Sequence, residues 1–173
     1  VPTRSIYTAQ VSGVGDTTGL ALAETYDADF ADKAKRLTAL SVRNHEGAGA
    51  AQLIVGFVIV GDAPRRVLLR GAGPSLLADS PELTGLVLEN PTLQINRYTP
   101  SQITKWTVVG ANDDWGGATT LAETMHAVGM SALPAASKDA VLLVDLPPGI
   151  YTAQVTGVGD TTGIALVEIY EAP

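Results

Sequence analysis

The sequence has no cysteine, which excludes disulfide bonds, thiolate metal sites and a cysteine nucleophile. Charged residues make up only 17% of the 173 residues, and acidic residues outnumber basic ones to give a net charge of −7. A basic stripe for nucleic acid is therefore missing, and adsorption to an anionic lipid surface is disfavoured. No apolar stretch has the length of a membrane span. We expect neither a nucleic-acid partner nor a transmembrane segment.

What the chain does contain is a segment that occurs twice, at residues 7–28 (the first copy) and residues 151–172 (the second copy). Of 22 aligned positions five differ, which leaves 22 − 5 = 17 identities at a constant offset of 144 residues. The differing pairs are Ser12/Thr156, Leu20/Ile164, Ala23/Val167, Thr25/Ile169 and Asp27/Glu171. A repeat at fixed spacing indicates an array of similar units.

Each copy contains two strand-like runs around a glycine-rich turn, which predicts a β-hairpin. The strands are expected at residues 6–13 and 19–26, and again at 150–156 and 163–170. In the second copy, the apolar run at residues 139–146 is expected to be the neighbouring strand in the sheet. The first copy has no such run before it, and an isolated hairpin is only marginally stable in water. It therefore docks on the complete domain, docks on a neighbouring molecule, or belongs to a longer chain.

The predicted organisation is an orphan hairpin at residues 1–29, a polar linker at 30–35 and a complete domain at 36–173. Strands are predicted within that domain at 36–43, 52–60, 65–70, 92–98, 105–109, 139–146, 150–156 and 163–170. The continuous apolar run 52–60 is expected to be buried on both faces, and 119–128 has helical spacing. The 18 glycines and 10 prolines supply frequent turns. We predict an all-β fold, an antiparallel β-sandwich of Ig-like or jelly-roll-like type, with at most one short helix.

Three consecutive polar residues, Asn112, Asp113 and Asp114, are the best candidates for metal ligands. Carboxylate and amide oxygens on a loop suit Ca²⁺, and Asp139 is expected to approach them from a following strand. The alternative is an Asx turn, in which these side chains bond their own backbone. We favour the turn, because the run lacks the spacing of a dedicated calcium loop, and we expect no cofactor apart from a possible Ca²⁺.

Aromatic residues near this loop provide a candidate ligand site. Trp115 lies between polar residues and glycines, where an exposed ring could contact a sugar, and Trp106 and Tyr98 could extend the platform. The alternative is that these rings pack in the core or at its rim, which is the more common role.

The remaining polar residues do not form a recognisable catalytic set. Ser75 is not in a nucleophile elbow, and only His45 and His126 are available as a base. Glu24 and Glu168 occupy equivalent positions in apolar strands. A carboxylate there is expected to pair with an arginine across the sheet; a less favoured alternative is that it promotes an isopeptide bond involving Lys105 or Lys138. We therefore predict that the protein is not an enzyme.

Several motifs have a family resemblance that covers most of residues 36–173. They include NDDWG at 112–116, SKDAVLL at 137–143 and LPPGIYTAQVTG at 146–157. This order resembles a tandem β-sandwich repeat of large secreted bacterial surface proteins and, more distantly, the bacterial pre-peptidase C-terminal domain. The resemblance implies a sandwich fold and an accessory role as a spacer, stalk, adhesion or targeting module. It implies no catalytic residues.

The repeat and the resemblance together favour a structural function at the bacterial cell surface or outside the cell. We expect the domain to assemble head-to-tail into a fibre, filament or stalk, with copies of itself or adjacent repeats as partners. The assembly residues are the large apolar side chains of the first copy: Tyr7, Val11, Leu20, Leu22 and Tyr26. The alternative is a Ca²⁺-dependent module that binds surface carbohydrate.

Overall fold

The computed structural model describes residues 6–26, 37–47 and 52–173. Contacts between residues divide the chain into two units, Val1–Arg36 and Leu37–Pro173, and we call the second unit the sandwich domain. The predicted linker at residues 30–35 lies outside the described residues. Among the residues that the structure describes, none of the helices is long and apolar enough to cross a membrane.

The sandwich domain contains eight strands and one α-helix within its described residues. They are β1 (Ala39–Glu46), β2 (Leu53–Ile59), β3 (Arg65–Ala72), β4 (Pro91–Tyr98), β5 (Trp106–Asn112), α1 (Thr119–Val128), β6 (Ala140–Leu146), β7 (Gly149–Gly157) and β8 (Gly163–Glu171). Short 3₁₀ segments occur at Pro74–Ala78, Pro81–Leu83 and Val158–Asp160. The predicted all-β class is confirmed, and the single helix begins and ends where its periodicity predicted.

The strands form two four-stranded antiparallel sheets, as expected for a β-sandwich. The first sheet has the order β1-β8-β3-β6, and the second has the order β2-β7-β4-β5. Alternate side chains of both sheets point inward and form one apolar core. Its most completely buried members include Leu69, Leu93, Ile95, Tyr151 and Val155.

A second, smaller core, which we call the α1 cluster, lies on the outer side of the first sheet. The side chains of Leu68 and Val141 pack there against Met125 and Val128 of α1. Leu68 and Leu69 are both fully buried although they are adjacent in β3, because the sandwich core covers one face of the strand and the α1 cluster covers the other. β3 is therefore buried on both faces at these two residues.

The expectation that residues 52–60 are buried on both faces is wrong. β2 lies at the edge of the second sheet, and its burial alternates along the strand. Leu53 and Val55 point into the core, whereas Ile54 and Val58 remain on the outer face, with Val58 61% exposed. A continuous apolar run shows that the side chains on both faces of the strand are apolar. It does not show that other parts of the protein pack on both faces.

The expected closing hairpin is also wrong, in a way that matters for function. β7 pairs with β2 and β4 in one sheet, whereas β8 pairs with β1 and β3 in the other. The two strands are thus central in opposite sheets and make no ladder with each other. β7, the turn after it and β8 therefore form an arch, in which the chain crosses from one sheet to the other. The two strands contact each other through their side chains in the core. The predicted sheet neighbour, β6, pairs with β3 instead.

The arch turns at Val158–Asp160, where Gly159 adopts a positive φ of 66° that a glycine tolerates without strain. Beyond the turn, Gly163 lies against the backbone of residues 86–88. A Cβ atom at Gly163 would come within 2.5 Å of the Leu88 nitrogen, so only glycine fits this position. The amide of Leu88 in turn donates to the carbonyl of Ile164 over 2.9 Å, which fixes the start of β8.

One buried ion pair joins β8 to β3. The guanidinium of Arg70 donates from Nε to the carboxylate of Glu168 over 2.5 Å, and both side chains are buried. Arg70 also donates from Nη1 to the Ser131 carbonyl over 3.0 Å, while the Tyr170 hydroxyl donates to Glu168 over 3.2 Å. The prediction that Glu168 pairs with an arginine across the sheet is confirmed.

Replacing Arg70 with methionine is expected to lower the free energy of unfolding by about 3–5 kcal/mol, because Glu168 is left as a buried charge without its counter-ion. Arg66 offers a matched control in the same strand, since its pair with Asp145 at 3.1 Å is half exposed. Arg66→Met should cost less than about 1 kcal/mol. Urea denaturation of both variants measures the difference, and equal losses would contradict a special role for the buried pair.

Candidate functional site

The first copy has the same local turn as the second. The 3₁₀ segment Val14–Asp16 corresponds to Val158–Asp160, and Gly15 has φ 61° and ψ 42° where Gly159 has φ 66° and ψ 33°. The hydroxyl of Thr17 donates to the Val14 carbonyl over 3.0 Å, and Thr161 makes the same bond to Val158, also over 3.0 Å. The identical residues of the two turns therefore produce the same backbone geometry.

The strands of the first copy are not formed. Within residues 6–26 the regular structure is limited to the Val14–Asp16 turn, so the hairpin expected from 6–13 and 19–26 is absent there. The arch explains why. In the second copy each strand takes its hydrogen bonds from two flanking strands of its own sheet, and the two strands of the arch do not pair with each other. Without such neighbours, the same sequence lacks a partner for either ladder.

The apolar side chains of the first copy are consequently uncovered. Tyr7 is 91% exposed and Val11 is 60% exposed, whereas the equivalent Tyr151 and Val155 are both at 0% in the sandwich core. The other three predicted assembly residues are also exposed large hydrophobics: Leu20, Leu22 and Tyr26. The structure therefore places all five predicted assembly residues on an exposed surface of the first unit.

A polar feature of the second copy is also present in the first. The hydroxyl of Tyr26 donates to Glu24 over 2.8 Å, as the hydroxyl of Tyr170 does to Glu168 over 3.2 Å. The hydrogen bond and the negative charge of Glu24 raise the pKa of Tyr26. In the sandwich domain Glu168 pairs with a buried arginine. Its counterpart in the first copy, Glu24, accepts the equivalent tyrosine hydrogen bond.

Two of the three predicted calcium ligands make contacts that hold the loop in place. The side chain of Asn112 accepts from the Val141 amide over 2.9 Å and donates to the Asp114 carbonyl over 3.1 Å. The carboxylate of Asp114 pairs with Lys138 at 2.7 Å. No contact that would single out Asp113 as a ligand is found in the described residues. Within residues 6–26, 37–47 and 52–173, no group of three or more acidic, histidine or cysteine side chains is placed to hold a metal ion.

Asp139 does approach this loop, but through its backbone. Its carbonyl accepts from the Trp115 amide over 2.9 Å. Its fully buried carboxylate points to the other side, where it accepts from the Gly73 amide over 2.7 Å and from the Ser75 hydroxyl over 3.0 Å. The hydroxyl of Ser137 also contacts this carboxylate. Asp139 therefore fixes the loop after β3, and Ser75 is a partner in that network.

The ring of Trp115 is not available to a ligand. It is only 6% exposed, packs in the α1 cluster and donates from its indole nitrogen to the Pro134 carbonyl over 2.9 Å. The interpretation of Trp115 as a core side chain is therefore the one that fits, and the expectation of an exposed ring at this position is wrong.

A partly exposed aromatic pair lies elsewhere, on the outer face of the second sheet. Trp106 is 41% exposed and stands 5.3 Å from Tyr98, ring centre to ring centre. Beside them, Gln94 donates to Asn96 over 2.9 Å and Asn96 donates to Gln154 over 3.2 Å. A shallow pocket of about 290 Å³ opens here, lined by Ile54, Asn96, Trp106, Thr152 and Gln154. The sequence analysis did not identify these three amides as a site, because Gln154 lies on a strand that only the sheet pairing brings beside β4.

A buried acid lies at the end of β1. Glu46 faces Gly163 of β8 and is 2% exposed, and its Oε2 has no hydrogen-bond partner among the described residues. Burial raises the pKa of Glu46 above its ordinary value of 4.5. The electrostatic interaction with His45 lowers this pKa, and the interaction with the nearby Asp160 raises it further.

Comparisons with protein-family models, with curated proteins and with solved structures found no match to this chain.

Glu46 predicts a specific pH dependence of stability. Because its pKa is raised on folding, the folded state binds this proton more tightly than the unfolded state does. The stabilising contribution is fully present below pH 4.5 and is lost as the pH rises through the folded pKa. Glu46→Gln should therefore be more stable than the wild type at pH 7, and the difference should vanish below pH 4.5. Thermal unfolding across this range measures it; a difference that does not change with pH would contradict the assignment.

Proposed function

We propose that this chain is a non-catalytic structural module, in which the first copy supplies the β7 and β8 strands of a neighbouring sandwich. Modules joined in this way form a head-to-tail series, such as a fibre, filament or stalk. The observation that carries the proposal is the match between the two copies: 17 of 22 positions are identical, and in the second copy these residues are the central strands of both sheets. The family resemblance favours a bacterial surface or extracellular setting.

Burial supports this proposal position by position. Tyr151, Ala153 and Val155 point into the core from β7, and Ala165 does so from β8, all with no exposed surface. Their counterparts in the first copy are identical residues: Tyr7, Ala9, Val11 and Ala21. Apolar side chains on alternate positions of a strand are useful only where a second sheet packs on that face of the strand.

A glycine supports it independently. Gly163 is required because the backbone of residues 86–88 lies against it in the sandwich domain. The equivalent Gly19 has no atom within 4 Å of the position that a Cβ would occupy. The first copy therefore retains a glycine that its own surroundings do not require. A neighbouring sandwich with a segment like residues 86–88 would require it.

The joint formed in this way is a strong one for a contact without covalent bonds. β7 has ladder partners along its length on both sides, in β2 and in β4, and β8 has them in β1 and β3. Addition of strands to a sheet is an established mode of protein association, in which main-chain hydrogen bonds give affinity and side-chain pockets give specificity. Here the association uses two strands and both sheets.

The chain itself provides a test by complementation. A chain of residues 37–146 lacks both central strands and should show no cooperative unfolding. A chain of residues 1–146 keeps the first copy, and we expect it to regain a cooperative thermal transition, because the first copy can occupy the two vacant strand positions. Circular dichroism and calorimetry measure this, and identical behaviour of the two chains would contradict the proposal.

Matched variants of residues 1–146 distinguish strand insertion from a general effect of chain length. Val11→Asp places a charge at the position of the fully buried Val155 and should abolish the transition. Val14→Asp changes the position of Val158, which is 40% exposed in the turn, and should leave the transition largely intact.

A second candidate function is the binding of a neutral carbohydrate on the outer face of the second sheet. The specific observation is the exposed Trp106 beside Tyr98, next to the amides of Asn96 and Gln154. An aromatic face takes the apolar side of a sugar ring, and amides bond its hydroxyls. Adding or chelating Ca²⁺ in the same measurement tests the calcium dependence expected for such a module.

Trp106→Ala is expected to reduce binding of a neutral oligosaccharide at least tenfold in calorimetric titration, because it removes the stacking surface. Its melting temperature should change little, since the ring is partly exposed. Ile103→Ala is the control, as Ile103 is fully exposed and does not line the pocket. Unchanged binding in Trp106→Ala, or no binding by the wild type across a panel of neutral glycans, would reject this candidate.

A further inference from the structure

We propose that the acceptor of the first copy is a sandwich of this fold that differs from this one in its core. It has larger side chains facing Ala23 and Thr25, and an arginine facing Glu24. The inference rests on the proposed function and names the partner. It distinguishes a series of non-identical repeats from a polymer of identical chains.

Two of the five differences between the copies fall at buried core positions. In the sandwich domain, positions 167 and 169 are Val167 and Ile169, which point into the core and are buried. The first copy has Ala23 and Thr25 at these positions. Placed in the same core, alanine would leave a cavity in place of two methyl groups, and threonine would bury a hydroxyl among apolar side chains.

The neighbours of these positions show that the mismatch is specific to this domain. Val167 lies between Val42 of β1 and Gly71 of β3. Gly71 cannot be enlarged to fill the space, because a Cβ there would come within 2.9 Å of Val155. Protein cores are packed to crystal-like density, so a core that suits alanine and threonine must have more side-chain volume around them than this core provides.

An identical copy is a poor acceptor for a second reason. Its strand positions between β2 and β4, and between β1 and β3, are already occupied by its own second copy. The first copy of another chain would have to displace a strand pair that fits better at two buried positions. The exchange is unfavourable, and isolated chains should remain monomeric.

The charge of Glu24 specifies the acceptor further. The equivalent Glu168 is buried and is neutralised by Arg70. Burial of a carboxylate without a counter-ion is strongly unfavourable. The acceptor strand that corresponds to β3 therefore has an arginine at the position of Arg70.

The experiment uses the full chain. Light scattering over a wide concentration range should show a monomer. The double variant Val167→Ala/Ile169→Thr gives the second copy the two core residues of the first, and its melting temperature should fall by about 5–15 °C. Adding Val42→Ile, which enlarges the neighbour of position 167, should recover part of that loss. Val42→Ile alone should not stabilise the wild type, where the space is already filled.

Two results would overturn the inference. One is a melting temperature that stays within 1–2 °C of the wild type (about the shift expected from a surface substitution) in the double variant, which would show that the residues of the first copy fit this core. The other is concentration-dependent filaments or dimers of the wild type that Val11→Asp abolishes, which would show that identical copies accept the strand pair. If the double variant does not fold, Val167→Ala alone gives the same comparison.

Failure of this inference is distinguishable from failure of the proposed function. If residues 1–146 unfold cooperatively and the double variant is as stable as the wild type, the first copy completes a sandwich but does not require a different one. If residues 1–146 show no cooperative unfolding even when Ala23→Val/Thr25→Ile restores the two core residues of the second copy, the first copy does not act as a strand pair, and both proposals are rejected.

Discussion

The fold depends on the requirement that a central strand be hydrogen-bonded along both of its edges. β7 and β8 meet that requirement in opposite sheets, so one stretch of chain completes both layers of the sandwich. Their inward side chains also meet in the core, where Tyr151, Val155 and Val167 are fully buried. The arch therefore contributes main-chain pairing to each sheet and apolar contact between the sheets. The same residues in the first copy have neither, which explains both its exposed apolar surface and its lack of strands.

Two buried carboxylates fix the surroundings of β3. Glu168 joins β8 to β3 through Arg70, and Asp139 holds the loop that follows β3 through the Gly73 amide and the Ser75 hydroxyl. One acid is paired with a cation and the other accepts several hydrogen bonds, and both arrangements offset the cost of burying a carboxylate. Both interactions are directional, so they set the register of the strands more strictly than apolar packing does.

The sequence was sufficient to predict most elements but not how they pair. Alternation, turn residues and helical spacing located the strands and α1 closely, because each is a local property. Pairing is not local. The tight glycine-rich turn at 157–163 suits a hairpin or an arch equally, and only the flanking strands of each sheet decide between them. For the same reason the apolar run of β2 predicts burial on both faces, although the strand lies at a sheet edge with one face exposed. At the candidate site, the exposed residues of the first copy were predicted from the repeat. The burial of Trp115 depends on α1 and on the Pro134 carbonyl, which contact its ring only once the chain has folded.

The position of the domain's two ends has a mechanical consequence. The first residue of β1, Ala39, lies directly opposite Tyr170 near the end of β8, and the Glu171 amide donates to the Thr38 carbonyl over 3.0 Å. Tension applied through Leu37 and Pro173 therefore enters two adjacent antiparallel strands at the same end. Their hydrogen bonds lie across the strands, so the load falls on one pair at a time and peels β1 away from the sheet. A chain of such domains would lengthen stepwise under small forces, as an extensible tether rather than a rigid rod.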